Sequence, residues 1–367
     1  GALTFKSAPN FELPGDAGAN NVYDVTVLVA DGLLTDSQAL VVTVTNVNEF
    51  TPNITSNGGG ATAAVSVAEN STTVTTVTAF DGDAGTTLTY TLGGADATLF
   101  AFDASTGKLS FQSVHDFEAP NDAGQNNTYD VTLQVSDGTL TSVQAIAVTL
   151  TNVNENPLLS PFVAPVQTVN EDTQSIVTLA DLTALGKATD VDAGDAVVAF
   201  VVKEVNSGTL LIGADSGSAT AWIAGTHDTV DATHLAYWTG TQNANGVQDA
   251  FTVSAKDMSG AESSAIVQIQ MNLTPVNDLP TGMVEIDGTA AQGRTLTVNQ
   301  TLADVDGLGT ILYQWQASSD GGTTWSDIAN ATAATLTLTA NEVDQRVHVV
   351  TRYTDGYGTG EQVTSAE

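Results

Sequence analysis

Residues 107–155 read GKLSFQSVHDFEAPNDAGQNNTYDVTLQVSDGTLTSVQAIAVTLTNVNE, and residues 1–49 read GALTFKSAPNFELPGDAGANNVYDVTVLVADGLLTDSQALVVTVTNVNE. The two stretches align without gaps at an offset of 106, and about 30 of the 49 paired positions are identical. A period near 100 is too long for a solenoid turn, whose repeats run roughly 20 to 50 residues. It is the length of one β-sandwich domain. Within the repeat, YDVTVLVAD and YDVTLQVSD alternate apolar and polar residues at period two, as do ALVVTVTNV and AIAVTLTNV, which reads as half-buried strands. Turn formers such as DAGQNN and SDGTLTS separate them. No window sustains a capped 3.6-residue period over three turns. The expected fold class is all-β: tandem Greek-key β-sandwiches joined end to end by short linkers.

The recurring strand end sets the boundaries. TNVNEF (45–50), TNVNEN (151–156) and TPVNDL (274–279) are soon followed by Pro52, Pro157 and Pro280. A proline there cannot donate to a ladder, which suits an extended linker. Residues 1–49 are expected to be the C-terminal half of a repeat, 50–155 a complete one, 156–278 a longer one and 279–367 a last sandwich. In that last unit Trp315 falls in a strand pattern, where so large an aromatic anchors the core between sheets. The chain opens on GALTF without an initiating Met, so a piece of a longer polypeptide is expected.

Eight Lys and Arg face 42 Asp and Glu, giving a formal net charge of −34. Such a field repels nucleic acid and anionic membrane and attracts cations. There is no cysteine, so no disulfide staples the fold. A bacterial exported protein is compatible with that. No run of 18 apolar residues is present for an ordinary membrane-spanning helix.

The acids gather at strand ends and turns in five settings. One is an early Glu, Glu69 and Glu171. The second is an Asp-x-Asp pair: Asp81 and Asp83, Asp190 and Asp192, Asp304 and Asp306. The third is the NFE or DFE turn with Glu12, or with Asp116 and Glu118. The fourth is the Asp before a turn: Asp31, Asp137, Asp257, Asp355. The fifth is the linker: Asn46, Asn48 and Glu49; Asn152, Asn154, Glu155 and Asn156; Asn277 and Asp278. Paired carboxylates in so acidic a chain repel unless a cation offsets them. Calcium takes six to eight oxygen ligands, more than any one of these loops supplies. A junction gathering all five settings would suffice.

These residues resemble cadherin repeats, in particular the bacterial cadherin-like repeats of giant calcium-dependent surface adhesins of the RTX type. The family's early Glu matches Glu69 and Glu171. Its Asp-x-Glu element matches Asp116 and Glu118, and Glu12 where Asn10 replaces the Asp. Its Asp-x-Asp matches the three pairs, and its linker Asp-x-Asn-Asp-Asn-Pro matches NVNENP at 152–157. The resemblance implies Ca2+ at the domain junctions, up to three ions each. It departs at Phe50, which stands where the family has Asn, and at Pro275. The last unit has TAAQGR in place of an early Glu and resembles bacterial Ig-like adhesin repeats. Residues 156–278 resemble the proteoglycan-type relatives. A full ion complement is expected at the first two junctions and fewer ions at the third.

The expected function is a calcium-rigidified extender in a bacterial extracellular adhesin, located at the cell surface. Its partners would be further repeats at both ends and another cell surface or a glycan. An alternative is a structural subunit of an extracellular filament, sheath or surface layer. A second is a carbohydrate-binding module around 220–240, with Trp222, Tyr237 and Trp238 as stacking rings. Catalysis is not expected. His227 and His234 frame HDTVDATH without the HExxH spacing of a zinc helix, and no Gly-x-Ser-x-Gly elbow is present.

Overall fold

The structure, a computed structural model, describes residues 1–367. It divides into two compact units, Gly1–Glu155 and Asn156–Glu367. Among the described residues the chain is all-β apart from one α-helix and two short 3-10 turns.

In the first unit the repeat is visible as register. Val22–Ala30 pairs antiparallel with Thr35–Thr43, Val22 opposite Thr43. One period on, Thr128–Ser136 pairs with Thr141–Thr151, Thr128 opposite Thr149. The second hairpin is extended on both sides, by Thr62–Ala68 running parallel to Thr141–Thr151 and by Thr89–Gly93. A three-stranded sheet of Thr73–Thr76, Lys108–Phe111 and Phe100–Asp103 accompanies it. Val131, Leu133, Val135, Ile146, Val148 and Leu150 form one core with Leu109, Phe100 and Phe111. Each fully buried side chain of that kind contributes roughly 1.5–3 kcal/mol.

The first hairpin carries the same pattern without the cover. Val27 and Val29 are 38% and 67% exposed, whereas their counterparts Leu133 and Val135 are each 0% exposed. Among the described residues, no second sheet lies over residues 1–49.

The second unit holds two further cores. Residues 156–278 build a five-stranded and a four-stranded sheet around Phe200, Trp238, Phe251, Ile269 and Met271. Residues 279–367 build a three-stranded and a four-stranded sheet around Trp315, Val349 and Leu296. The Trp315 indole N–H donates to the Ala333 carbonyl at 2.9 Å, so its one polar atom is satisfied where it is buried. The helix Leu179–Gly186 is held by a capping box. Thr178 accepts from the Asp181 N–H and Asp181 accepts from the Thr178 N–H. That local signal, rather than a long apolar period, makes these eight residues helical.

Candidate metal centres

The Asp-x-Asp segments all bend in the same way. The second aspartate's N–H donates to the first one's Oδ1, at 2.8 Å for Asp83 and Asp81, 3.0 Å for Asp192 and Asp190, and 2.9 Å for Asp306 and Asp304. Gly85, Gly194 and Gly307 follow with φ of 82°, 92° and 102°, backbone that glycine adopts without a steric cost. The bend itself uses only one oxygen of the first aspartate.

In the first unit, ligand atoms of Glu12, Glu49 and Asp83 lie within 4.8 Å of one another. The linker is pinned to this bend, with the Phe50 N–H donating to Asp83 Oδ2 at 2.9 Å and the Asn46 amide to the Ala84 carbonyl at 3.2 Å. Phe50 lies flat against Gly82, where a Cβ would come within 2.7 Å of its ring. Burial alone would raise the Asp137 carboxyl, but the N–H groups of Thr139 and Leu140 and the Asn48 side chain hold it below its ordinary value. Both Glu12 oxygens, Asp81 Oδ2 and Asp137 Oδ2 are buried with no hydrogen-bond partner. Asp31 stays apart: it is exposed, and its Oδ1 accepts from Leu33 and Leu34 of its own turn.

Glu69, Asp116 and Glu118 form a second group within 4.8 Å. Glu69 is buried and tethers two segments, accepting from Phe117 at 2.9 Å and from Val153 of the linker at 2.8 Å. That linker carries Asn152, Asn154 and Glu155; the Asn154 amide donates to the Glu155 carbonyl at 3.1 Å. Across the unit boundary the sequence continues with Asn156. In the second unit Asp190 Oδ2 is again buried without a partner, and Asp257 Oδ1 accepts from Ala261 at 2.7 Å.

The third group joins Glu171, Asp278 and Asp306 within 4.8 Å. Glu171 Oε1 accepts from the Val276 N–H at 2.8 Å, and Asp306 Oδ2 accepts from the Asp278 N–H at 2.6 Å. Glu171 is 3% exposed, yet its Oε2 has no partner, and neither has Asp355 Oδ2. Desolvation, then the charges of Asp306, Asp172 and Asp304, push the Asp278 carboxyl above its ordinary value. Two residues not singled out by sequence belong here. Glu361 Oε1 accepts from the Asn277 amide at 2.8 Å, and the Tyr353 hydroxyl donates to Asp304 Oδ2.

A buried carboxylate is not by itself a ligand. Asp96 accepts from the Ala123 and Asp130 N–H groups at 2.7 Å each, and Asp122 accepts from Asn126 and Asn127, so their oxygens are satisfied by backbone. Leaving a buried acceptor unmade costs about 1–3 kcal/mol and more for a charge. The partnerless oxygens of Glu12, Asp81, Asp137, Asp190, Glu171 and Asp355 therefore need a cation or a proton. Carboxylate and amide oxygens with no sulfur or imidazole suit a hard ion such as calcium.

The alternative sites do not assemble. Trp238 and Tyr237 are 0% and 2% exposed, and the Trp238 N–H donates to the Ser207 carbonyl at 2.8 Å. Trp222 packs against the same core, its N–H on the Val202 carbonyl. The buried rings of Trp238 and Tyr237 offer no face to a sugar, and Trp222 is partly buried. His234 pairs with Asp231 at 3.1 Å, while His227 bonds Thr220 and the Ala221 carbonyl. Among the described residues no metal-sized group includes a histidine.

No family model matches the sequence. Over 219 residues, 57% of this chain, it is 30% identical to Protocadherin Fat 4 of Mus musculus, of whose length the chain spans 4%. Among solved structures it is similar to the Protocadherin GammaB4 extracellular domain, with 17% identity, 98% of this chain and 55% of that one covered, and a TM-score of 0.49. It is also similar to mouse Cadherin-23 EC22-24, with 19% identity, 86% and 98% covered, and a TM-score of 0.49.

Proposed function

We propose that this chain is a run of cadherin-like extracellular repeats in an adhesion protein, stiffened by calcium held between consecutive sandwiches. One observation carries the reading: carboxylates from different sandwiches and their linker converge, and several of their buried oxygens have no partner. Glu12, Glu49, Asp81, Asp83 and Asp137, with Asn46 and Asn48, would hold ions at the first linker. Glu171, Asn277, Asp278, Asp306 and Asp355 would do so at the third. Glu69, Asp116, Glu118, Asn152, Asn154 and Glu155 in the first unit, and Asn156, Asp190, Asp192 and Asp257 in the second, would each serve as calcium ligands. Calcium supplies positive charge that makes mutual repulsion into shared coordination. The protein's own part is to fix the carboxylates beforehand with the backbone bonds described above.

On this reading residues 1–49 complete a sandwich whose other half has the character of residues 50–106, which would cover Val27 and Val29. Absence of cysteine and the acidic surface favour a bacterial surface protein, with further repeats on either side and another cell surface or a glycan as what the whole protein grips. Small-angle scattering tests the mechanical role. A larger and narrower distribution of dimensions is expected in millimolar calcium than in chelator. Identical profiles in the two conditions would remove it.

A further inference from the structure

The three Asp-x-Asp bends are alike in backbone and unlike at one atom. Asp81 Oδ2 and Asp190 Oδ2 are buried and have no partner. The corresponding oxygen of Asp304 accepts the Tyr353 hydroxyl. Tyr353 lies two residues before Asp355, on the strand Arg346–Thr354. The same place before Asp137 and Asp257 is taken by Val135 and Ala255, both fully buried in their cores. Neither side chain can donate a hydrogen bond. Tyr353 is itself buried, at 3% exposure, and its hydroxyl reaches the Asp304 carboxylate.

We propose that the Tyr353 hydroxyl occupies Asp304 in place of a calcium ion, so that the third group holds one ion fewer than its Asp-x-Asp bend would otherwise bind. A phenol O–H on a carboxylate oxygen is a charge-assisted hydrogen bond. It takes one of the lone pairs a cation could use and places a hydroxyl against that oxygen, in competition with a metal ion. A phenol is protonated at neutral pH, so the tyrosine is a donor. The neighbouring Glu171, Asp278 and Asp306 keep a partnerless buried oxygen on Glu171, which leaves a place for a cation there. The inference rests on the reading of these groups as calcium sites.

Isothermal titration with calcium, with equilibrium dialysis for the count, tests it on the full chain. Tyr353→Phe keeps the ring and removes the donor. It is expected to bind one more calcium ion per chain than the parent, and the gain should vanish in the Tyr353→Phe/Asp304→Asn double variant. Equal counts and affinities in parent and Tyr353→Phe would overturn the inference while leaving the calcium reading intact. A parent and a variant that both bind no calcium would overturn both. Asp304→Asn alone, with the tyrosine in place, gives a second answer should Tyr353→Phe misfold. It should leave the parent's count unchanged where Asp81→Asn lowers it, and an equal loss in the two would contradict the proposal.

Discussion

In millimolar calcium the chain is expected to unfold at a higher temperature than in chelator, and to lose its susceptibility to proteases at residues 45–50 and 274–279. The reason is the stock of buried, partnerless carboxylate oxygens at Glu12, Asp81, Asp137, Glu171 and Asp355. With the folded Asp278 carboxyl raised, folding without a cation works against ionisation at neutral pH. That penalty is present above the ordinary carboxylate pKa and fades as the pH falls and the group is protonated. A cation that binds only the folded chain removes it at neutral pH, and at a hundredfold excess over its dissociation constant a single site adds about 2.7 kcal/mol. Differential scanning calorimetry and limited proteolysis in both conditions provide the check. Magnesium should substitute poorly, because it demands a smaller and more regular shell.

The second large effect needs no ion. Leu133→Ala is expected to destabilise the 50–155 sandwich by about 2–5 kcal/mol, the usual cost of a cavity left by a buried leucine. Val27→Ala, at the position one repeat earlier, should change stability by no more than about 0.5 kcal/mol, as for an ordinary surface substitution. The two side chains face the same way in strands of the same register, opposite Gln144 and Gln38. They differ in what lies over them. All four tryptophans are beyond residue 155, so their fluorescence would miss the first unit. Hydrogen exchange of the strand amides Val22–Ala30 and Thr128–Ser136 resolves the two effects.

Much of the fold is legible because a strand's period of two is a local property. YDVTLQVSD announces its buried set Tyr129, Val131, Leu133 and Val135 directly, and the repeat extends the reading to a second stretch. Trp315 in YQW was likewise readable as a core anchor. The helix at Leu179–Gly186 was not, since its information lies in the reciprocal Thr178 and Asp181 bonds rather than in an apolar stripe. The acidic groups were legible as clusters of motif residues, but which oxygen lacks a partner depends on chain segments far apart in sequence. Asp96 and Asp81 look equally acidic on paper. One is satisfied by Ala123 and Asp130, and the other keeps an oxygen with nothing to accept from. Glu361 and Tyr353 went unread for the same reason: they reach the third group from the closing strands of the last sandwich, 190 and 182 residues from Glu171 in sequence.

A crystal structure grown from calcium bears most directly on whether metal ions bridge the sandwiches. Strong density is expected among Glu12, Glu49 and Asp83, and again among Glu171, Asp278 and Asp306, with oxygen distances of about 2.3–2.6 Å. Those positions filled by water alone, with the carboxylates turned outward, would contradict it.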